Sequence, residues 1–336
     1  MKKIFLILAA FSALTTSVFA AKAKKSDKLK VVTTIFPEYD WTREIIGNNI
    51  KNVELTLLLG NGVDLHSYQP SIQDIAKIST ADIFIYVGGE SDGWVKDALK
   101  NATNKNMKVI NLLETLGDKV KAEEVKEGMQ AEEEEEHHHH DGEHHDDEDE
   151  DEHEDEDHDH DHEAEEGHHH HHENDKIMKQ VHHEHDELVS ERSERIEYDE
   201  HVWLSLRNAK ILCAEIASAL SEKDSANAAS YKSNLSSYTA KLDTLDSKYT
   251  ATVKAGSKNT ILFGDRFPFR YLVDDYGLDY FAAFVGCSAE TEASFETVIF
   301  LSKKVDELGL NSVLKIESGD GKIARTIIQN TKKKKK

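Results

Sequence analysis

The sequence predicts an α/β protein of two lobes, each a parallel sheet flanked by helices, joined by a long rigid helix. Three features predict it. Short apolar runs of strand length alternate with amphipathic segments of helical length from Leu29 onward. One long helical stripe then interrupts the alternation, and the alternation restarts behind it. Strands separated by helices of this length pair in parallel, because each crossover needs a helix to return the chain to the same edge.

In chain order, Leu29–Ile35 (L-K-V-V-T-T-I) reads as a strand and Glu38–Ile46 as a helix. Val53–Leu59 is a second strand. Ser71–Ile78 is a helix that opens on Ser71 and Asp74, the spacing at which each side chain can satisfy the other's backbone N–H. Ile83–Val87 reads as a buried strand, Trp94–Leu99 as a helix and Val109–Leu113 as a fourth strand. Residues 121–176 then lose all apolar periodicity and read as a disordered acidic, histidine-rich insertion, since they cannot bury enough apolar area to offset the entropy of ordering. Asn208–Leu220 resumes as a helix, which places the insertion inside a first lobe spanning 29–220.

Asp224 starts the long helix, expected over 224–254. Tyr231, Leu235, Tyr238, Leu242, Leu245 and Tyr249 recur every three or four residues and so share one face. At 1.5 Å per residue it would reach roughly 40 Å, enough to bridge two lobes. The second lobe, 258–330, alternates again: strand Thr260–Phe263, helix Phe269–Tyr276, strand Asp279–Val285, helix Phe295–Leu308, strand Ser312–Ile316, helix Lys322–Ile328. It has three strands against four in the first lobe.

Charge and histidine are distributed very unevenly. The chain has 336 residues with 41 Lys+Arg, 65 Asp+Glu and 20 His. Residues 132–175 hold 25 of the acidic residues and neither Lys nor Arg, leaving 40 acidic against 41 basic elsewhere. No basic surface for nucleic acid is expected. Lys2 and Lys3, the apolar run Ile4–Leu14 and the small residues around Ala20 read as a cleaved signal peptide, 1–20. The expected location is therefore the periplasm or the extracellular face, without a lipid anchor, since no Cys follows the apolar run. Cys213 and Cys287 cannot form a disulfide scaffold. Cys213 lies on an apolar helical face; Cys287, in V-G-C-S-A-E, is either a strand-end ligand or a small packed residue.

Eighteen of the histidines lie between 137 and 185. His137, His138, His139, His140, His158, His160, His162, His168, His169, His170, His171 and His172 stand in runs or alternate with aspartate. Mostly neutral imidazoles amid carboxylates make weak, interchangeable sites for zinc, copper or nickel. Only His66, in V-D-L-H-S-Y-Q-P, and His201, in D-E-H-V-W-L-S, stand apart. Each could be an ordinary hydrogen-bonded loop histidine. Together, at strand ends of an α/β sheet, they are candidate metal ligands. Asp265 and Glu317 also sit at strand ends. They could form an acid–base pair, but no H-E-x-x-H, G-x-S-x-G, P-loop or G-x-G-x-x-G accompanies them, so an enzyme is not expected.

The motifs V-V-T-T-I-F-P, V-D-L-H-S-Y-Q-P, A-D-I-F-I-Y-V-G-G, N-L-L-E-T-L-G-D, D-E-H-V-W-L-S and F-G-D-R-F-P-F-R-Y-L run through nearly the whole mature chain. In these the chain resembles the zinc and manganese receptors of bacterial metal ABC importers. The resemblance implies that His66 and His201 are metal ligands from the first lobe and that the partner is the importer's membrane permease. It also implies that the long helix is a rigid connector. The histidine-rich insertion resembles the loop of zinc members, so Zn²⁺ is the expected ion, with Mn²⁺ or another divalent ion as the alternative. A monomer is expected. Many zinc members carry a third histidine where this chain has Gly264, so the neighbouring Asp265, or else Cys287 or Glu317, must serve instead or the site is incomplete; a second-lobe carboxylate, Asp265 or Glu317, is the expected further ligand. Family members continue beyond Asn330 into a further strand and helix, whereas this chain ends in a lysine run (331–336), which reads as a truncated product. Two other readings are a histidine-rich metal buffer and a metal-dependent adhesin on the same fold.

Overall fold

The computed structural model describes residues 28–60, 62–130, 197–288 and 292–332. The expected signal peptide, the histidine runs and the last four lysines lie outside the described residues.

The first sheet has four parallel strands in the order β2-β1-β3-β4: β1 Leu29–Thr33, β2 Val53–Leu57, β3 Ile83–Tyr86 and β4 Lys108–Asn111. In β3, Ile83, Phe84 and Ile85 are all buried. An unbroken apolar run is what a parallel strand covered on both faces requires. The covering helices are α1 Phe36–Ile46, α2 Ile72–Ser79, α3 Val95–Lys100, α4 Leu112–Leu116 and α5 Leu206–Lys223. β4 stops at Asn111, earlier than the sequence implied, because the Asn111 side chain accepts the N–H of Glu114 and starts α4. The expected box at α2 is present: Ser71 Oγ accepts from Asp74 N and Asp74 Oδ2 accepts from Ser71 N.

The long helix α6 is Ala228–Ala255, 28 residues. It starts later than Asp224, which instead accepts hydrogen bonds from Asn227 Nδ2 and from the hydroxyl of Tyr231, both at 2.7 Å. Its stripe is graded. Tyr231 and Leu242 are buried and Leu235 and Tyr238 pack on the first-lobe core, while Leu245 and Tyr249 are exposed. Asn234 Nδ2 donates to Ile45 O of α1 at 2.9 Å. Farther along, Asp246 accepts from the hydroxyl of Tyr276 at 3.0 Å, and Tyr249 stacks on the same ring. Tyr276 ends α7 (Arg270–Tyr276), so α6 touches both halves of the molecule.

Behind α6, β5 Thr260–Arg266 and β6 Asp279–Phe284 form a parallel pair with a register shift between Phe263 and Arg266. α8 Phe295–Glu307 and α9 Lys322–Gln329 cover one face. Leu262, Phe284, Val298, Leu301 and Ile327 form the core there. A smaller aromatic core of Phe263, Phe267 and Tyr280 fills the other face.

Two expectations need correcting. Ser312–Ile316 is not a strand: it makes one parallel bridge, Leu314 to Phe263, with Leu314 N donating to Leu262 O at 2.8 Å and Gly264 N donating to Leu314 O at 2.9 Å. The ladder stops because Asp265 Oδ2 takes the next N–H, that of Ile316, at 3.2 Å. Lys315 Nζ meanwhile caps the carbonyls of Ile316, Glu317 and Gly319. Second, ordered chain persists from Lys121 to Gln130, into the span expected to be disordered. Ala122 pairs antiparallel with Tyr198, and Gln130 pairs in parallel with Phe284 of β6. Charged side chains hold this stretch, with Lys126 paired to Asp279 and Glu124 to Arg270.

Gly264 has no room for a side chain. A Cβ there would lie 2.5 Å from Ala324 Cα and 2.7 Å from Ala324 N, both backbone atoms of α9. Gly264→Ala is expected to lower unfolding free energy by about 1–3 kcal/mol, the range for overpacking. Urea unfolding would check it, and unchanged stability would contradict this packing.

Candidate metal centre

In an open parallel sheet, ligands bind beyond the carboxyl ends of the strands where the strand order reverses. Here that point lies between β1 and β3. The loops following β2 and β3 and the chain leading into α5 converge on it.

His66 sits in a short 3-10 turn, Leu65–Ser67, after β2. Asp64 caps the turn by accepting the backbone N–H of His66 at 3.1 Å. His201 sits just before the turn Val202–Leu204, which leads into α5. The two Nε2 atoms face each other at 3.3 Å. Each Nδ1 is already engaged: that of His201 with Asp199 Oδ1 at 2.9 Å, that of His66 with Ser91 Oγ at 2.8 Å. A carboxylate can only accept, so His201 carries its proton on Nδ1 and presents a lone pair at Nε2. Burial lowers the pKa of His66 to about 4, so its ring is neutral at physiological pH. Around an ion with bonds of about 2.0–2.1 Å, two nitrogens at tetrahedral positions stand about 3.3–3.4 Å apart. The spacing and tautomer of this pair therefore suit a shared ion.

The support behind the pair is acidic. Glu200 is buried; its Oε1 accepts from Ser91 N at 2.9 Å, and its Oε2, without a hydrogen-bond partner, lies 3.6 Å from His66 Nδ1. Burial pushes the Glu200 carboxyl above the ordinary range. The hydroxyl of Tyr271, from α7, donates to Asp199 O at 2.8 Å and accepts from Lys121 N at 3.0 Å. The Asp199 carboxylate and the Ser91 hydroxyl thus each hold one imidazole by its Nδ1, and the Tyr271 hydroxyl fixes the Asp199 backbone behind them.

A cleft of about 520 Å³ opens onto the pair. Its walls come from both sides of α6: His66, His201 and Trp203 on one, Arg266, Phe269 and Glu317 on the other. Arg266 pairs with Asp64 across the opening.

The other expected site residues fall in different places. Glu317 lines the cleft and is exposed. Asp265 is not brought to the histidines: its carboxylate accepts the N–H groups of Arg266 and Ile316. Cys287 is brought there. His66, His201 and Cys287 each offer a ligand atom, and these atoms all lie within 4.8 Å of one another. The twelve insertion histidines, His137 to His172, lie outside the described residues. Sequence reasoning missed Asp199, Ser91 and Glu200. Only the D-E-H order hinted at the first, two residues before His201.

A two-lobed α/β binding protein with a histidine-lined cleft is the class that this fold and site define. Residues 31–336 match the family model described as ZnuA, zinc-uptake complex component A, periplasmic, and the chain belongs to that family. It is 27% identical over 304 residues to the zinc-binding protein AdcA of Streptococcus pyogenes, covering 89% of this chain and 48% of that one. It thus spans about half the length of such relatives. It is 26% identical over 323 residues to the high-affinity zinc uptake system protein ZnuA of Bacillus subtilis, covering 96% and 81%. Among solved structures, a ZnuA crystal structure shares the fold at a TM-score of 0.59 and 19% identity, covering 90% of this chain and 88% of that one.

Proposed function

We propose that the protein is an exported receptor that captures Zn²⁺ in the cleft between its lobes and hands it to the membrane permease of an ABC importer. The observation that carries this reading is the His66–His201 pair, with Nε2 atoms 3.3 Å apart and both Nδ1 atoms anchored. Family membership and relatives named for zinc binding and zinc uptake support the choice of ion. The ion is cargo, so the protein needs affinity and release rather than catalysis. Ligands from two walls would make closure depend on the ion, and Glu317 lines the second wall of the cleft. Release then needs only that the permease favour the open form.

Zinc titration by calorimetry on a protein lacking residues 132–175 tests the reading. One site of stoichiometry one and submicromolar affinity is expected. Loss of every tight site with the loop would favour the buffer reading instead.

The outer shell gives a further prediction. Asp199→Ala frees the His201 ring to turn and to change tautomer. Zinc affinity is expected to fall about 10–100-fold, with the fold retained by circular dichroism. Unchanged affinity would mean that Asp199 does not orient the ligand.

A further inference from the structure

Given the receptor reading, on which this inference rests, we propose that Cys287 supplies the third metal ligand, so that the cleft holds its ion in a two-nitrogen, one-sulfur site. His66 lies after β2 and His201 before α5; Cys287 follows β6, on the far side of α6. Their ligand atoms all lie within 4.8 Å of one another. Bonds of about 2.3 Å to sulfur and about 2.0–2.1 Å to nitrogen put a sulfur about 3.5 Å from each nitrogen in a tetrahedral shell. From separations of up to 4.8 Å, the sulfur thus needs to approach by about 1.3 Å at most. That is the motion expected of two walls closing on an ion.

The backbone is shaped for this approach. A Cβ at Gly286 would lie 3.3 Å from His201 Nδ1 and Cε1 and 3.0 Å from Phe267 O. The missing side chain lets the turn after β6 lie close against the His201 ring and place the next residue beside it. Cys213 is buried within the first-lobe core, whereas Cys287 is half-buried and belongs to none of the three apolar clusters. The competing ligands are placed less well. Asp265 is bound to two backbone N–H groups, and a side chain at Gly264 would run into the backbone of α9.

Coordination replaces the S–H bond with an S–metal bond and releases one proton. Glu123 stands at the exit: its carboxylate accepts from Cys287 N at 3.2 Å and from the thiol. A thiolate beside two imidazoles selects zinc over manganese, because Mn²⁺ prefers oxygen ligands.

Cobalt(II) titration of the intact protein tests the assignment. The chain has only two cysteines, and the histidine-rich insertion contains neither, so sulfur-to-cobalt charge-transfer absorption in the near ultraviolet reports a thiolate ligand alone. One equivalent of such absorption is expected, retained in Cys213→Ala and lost in Cys287→Ser and Cys287→Ala. In both Cys287 variants zinc affinity should fall by more than the about 10–100-fold that an outer-shell partner costs. Saturating zinc should also protect Cys287 from iodoacetamide, read by mass spectrometry, and His66→Ala should remove the protection. A tight site with tetrahedral visible bands but no sulfur band, or equal alkylation with and without zinc, overturns the third ligand and leaves the receptor reading standing. Absence of any tight site overturns both.

Discussion

Replacing His66 with alanine is expected to abolish tight zinc binding while leaving the protein folded. The ring is one of two whose Nε2 atoms converge at 3.3 Å, and no other described imidazole is present to replace it. Losing one of three or four ligands should weaken the site at least about a thousandfold, or about 4 kcal/mol. His201→Ala should cost about as much, and the double variant little more, because ligands of one shell act as a unit. The histidine runs would still take up zinc weakly, so the readout is the high-affinity phase of a titration against a competing chelator. A His66→Ala protein with wild-type affinity would rule out the cleft.

Stability should respond strongly to Glu38, which lies fully buried at the start of α1. Its carboxyl accepts from Thr34 N at 2.8 Å and from Ile35 N at 3.2 Å, yet burial, reinforced by the neighbouring charge of Asp92, raises its pKa from 4.5 to about 8. The folded state therefore favours the protonated form. A raised carboxyl contributes stability that is fully present below the unfolded value of 4.5 and is lost as pH rises through about 8. Across that window the loss should be about 3 kcal/mol or more, since each pKa unit is worth 1.36 kcal/mol. Glu38→Gln keeps an accepting oxygen without the charge. The variant should match the wild type near pH 5 and exceed it increasingly toward pH 9 in urea unfolding. Parallel stability curves would show that Glu38 is not the group responsible. Asp92, raised to about 6 chiefly by burial, remains in both proteins and cancels from the comparison.

Elements whose identity is local were legible in the sequence. The four strands of the first lobe, the Ser71 box and the long helix all announce themselves through periodicity or a cap a few residues away. The misplaced segments are those in which a distant side chain or partner decides. Ser312–Ile316 has strand composition but loses its ladder to Asp265, 51 positions earlier. Residues 121–130 look like the start of a solvated acidic linker, yet Arg270 and Asp279 lie opposite their charges and pair with them.

The same division runs through the candidate site. His66 and His201 stood out because they are the only histidines outside the run at 137–185, a fact of composition that needs no coordinates. Motif resemblance added the family. What a linear reading cannot supply is which second-lobe group meets them. The expected ligand was a carboxylate, Asp265 or Glu317, ahead of Cys287; proximity there depends on how the lobes meet across α6, and no local period encodes that. Tertiary structure separated them. Asp265 turns its carboxylate to Ile316, Glu317 lies exposed on the cleft wall, and the turn at Gly286 sets Cys287 against His201. Sequence by itself therefore determined the fold class, through periodicity, and singled out the first pair of candidate ligands, through isolation in the composition. Only the packing of one lobe on the other brought a third candidate to them, because His66, His201 and Cys287 offer ligand atoms within 4.8 Å of one another yet lie up to 221 residues apart in the chain.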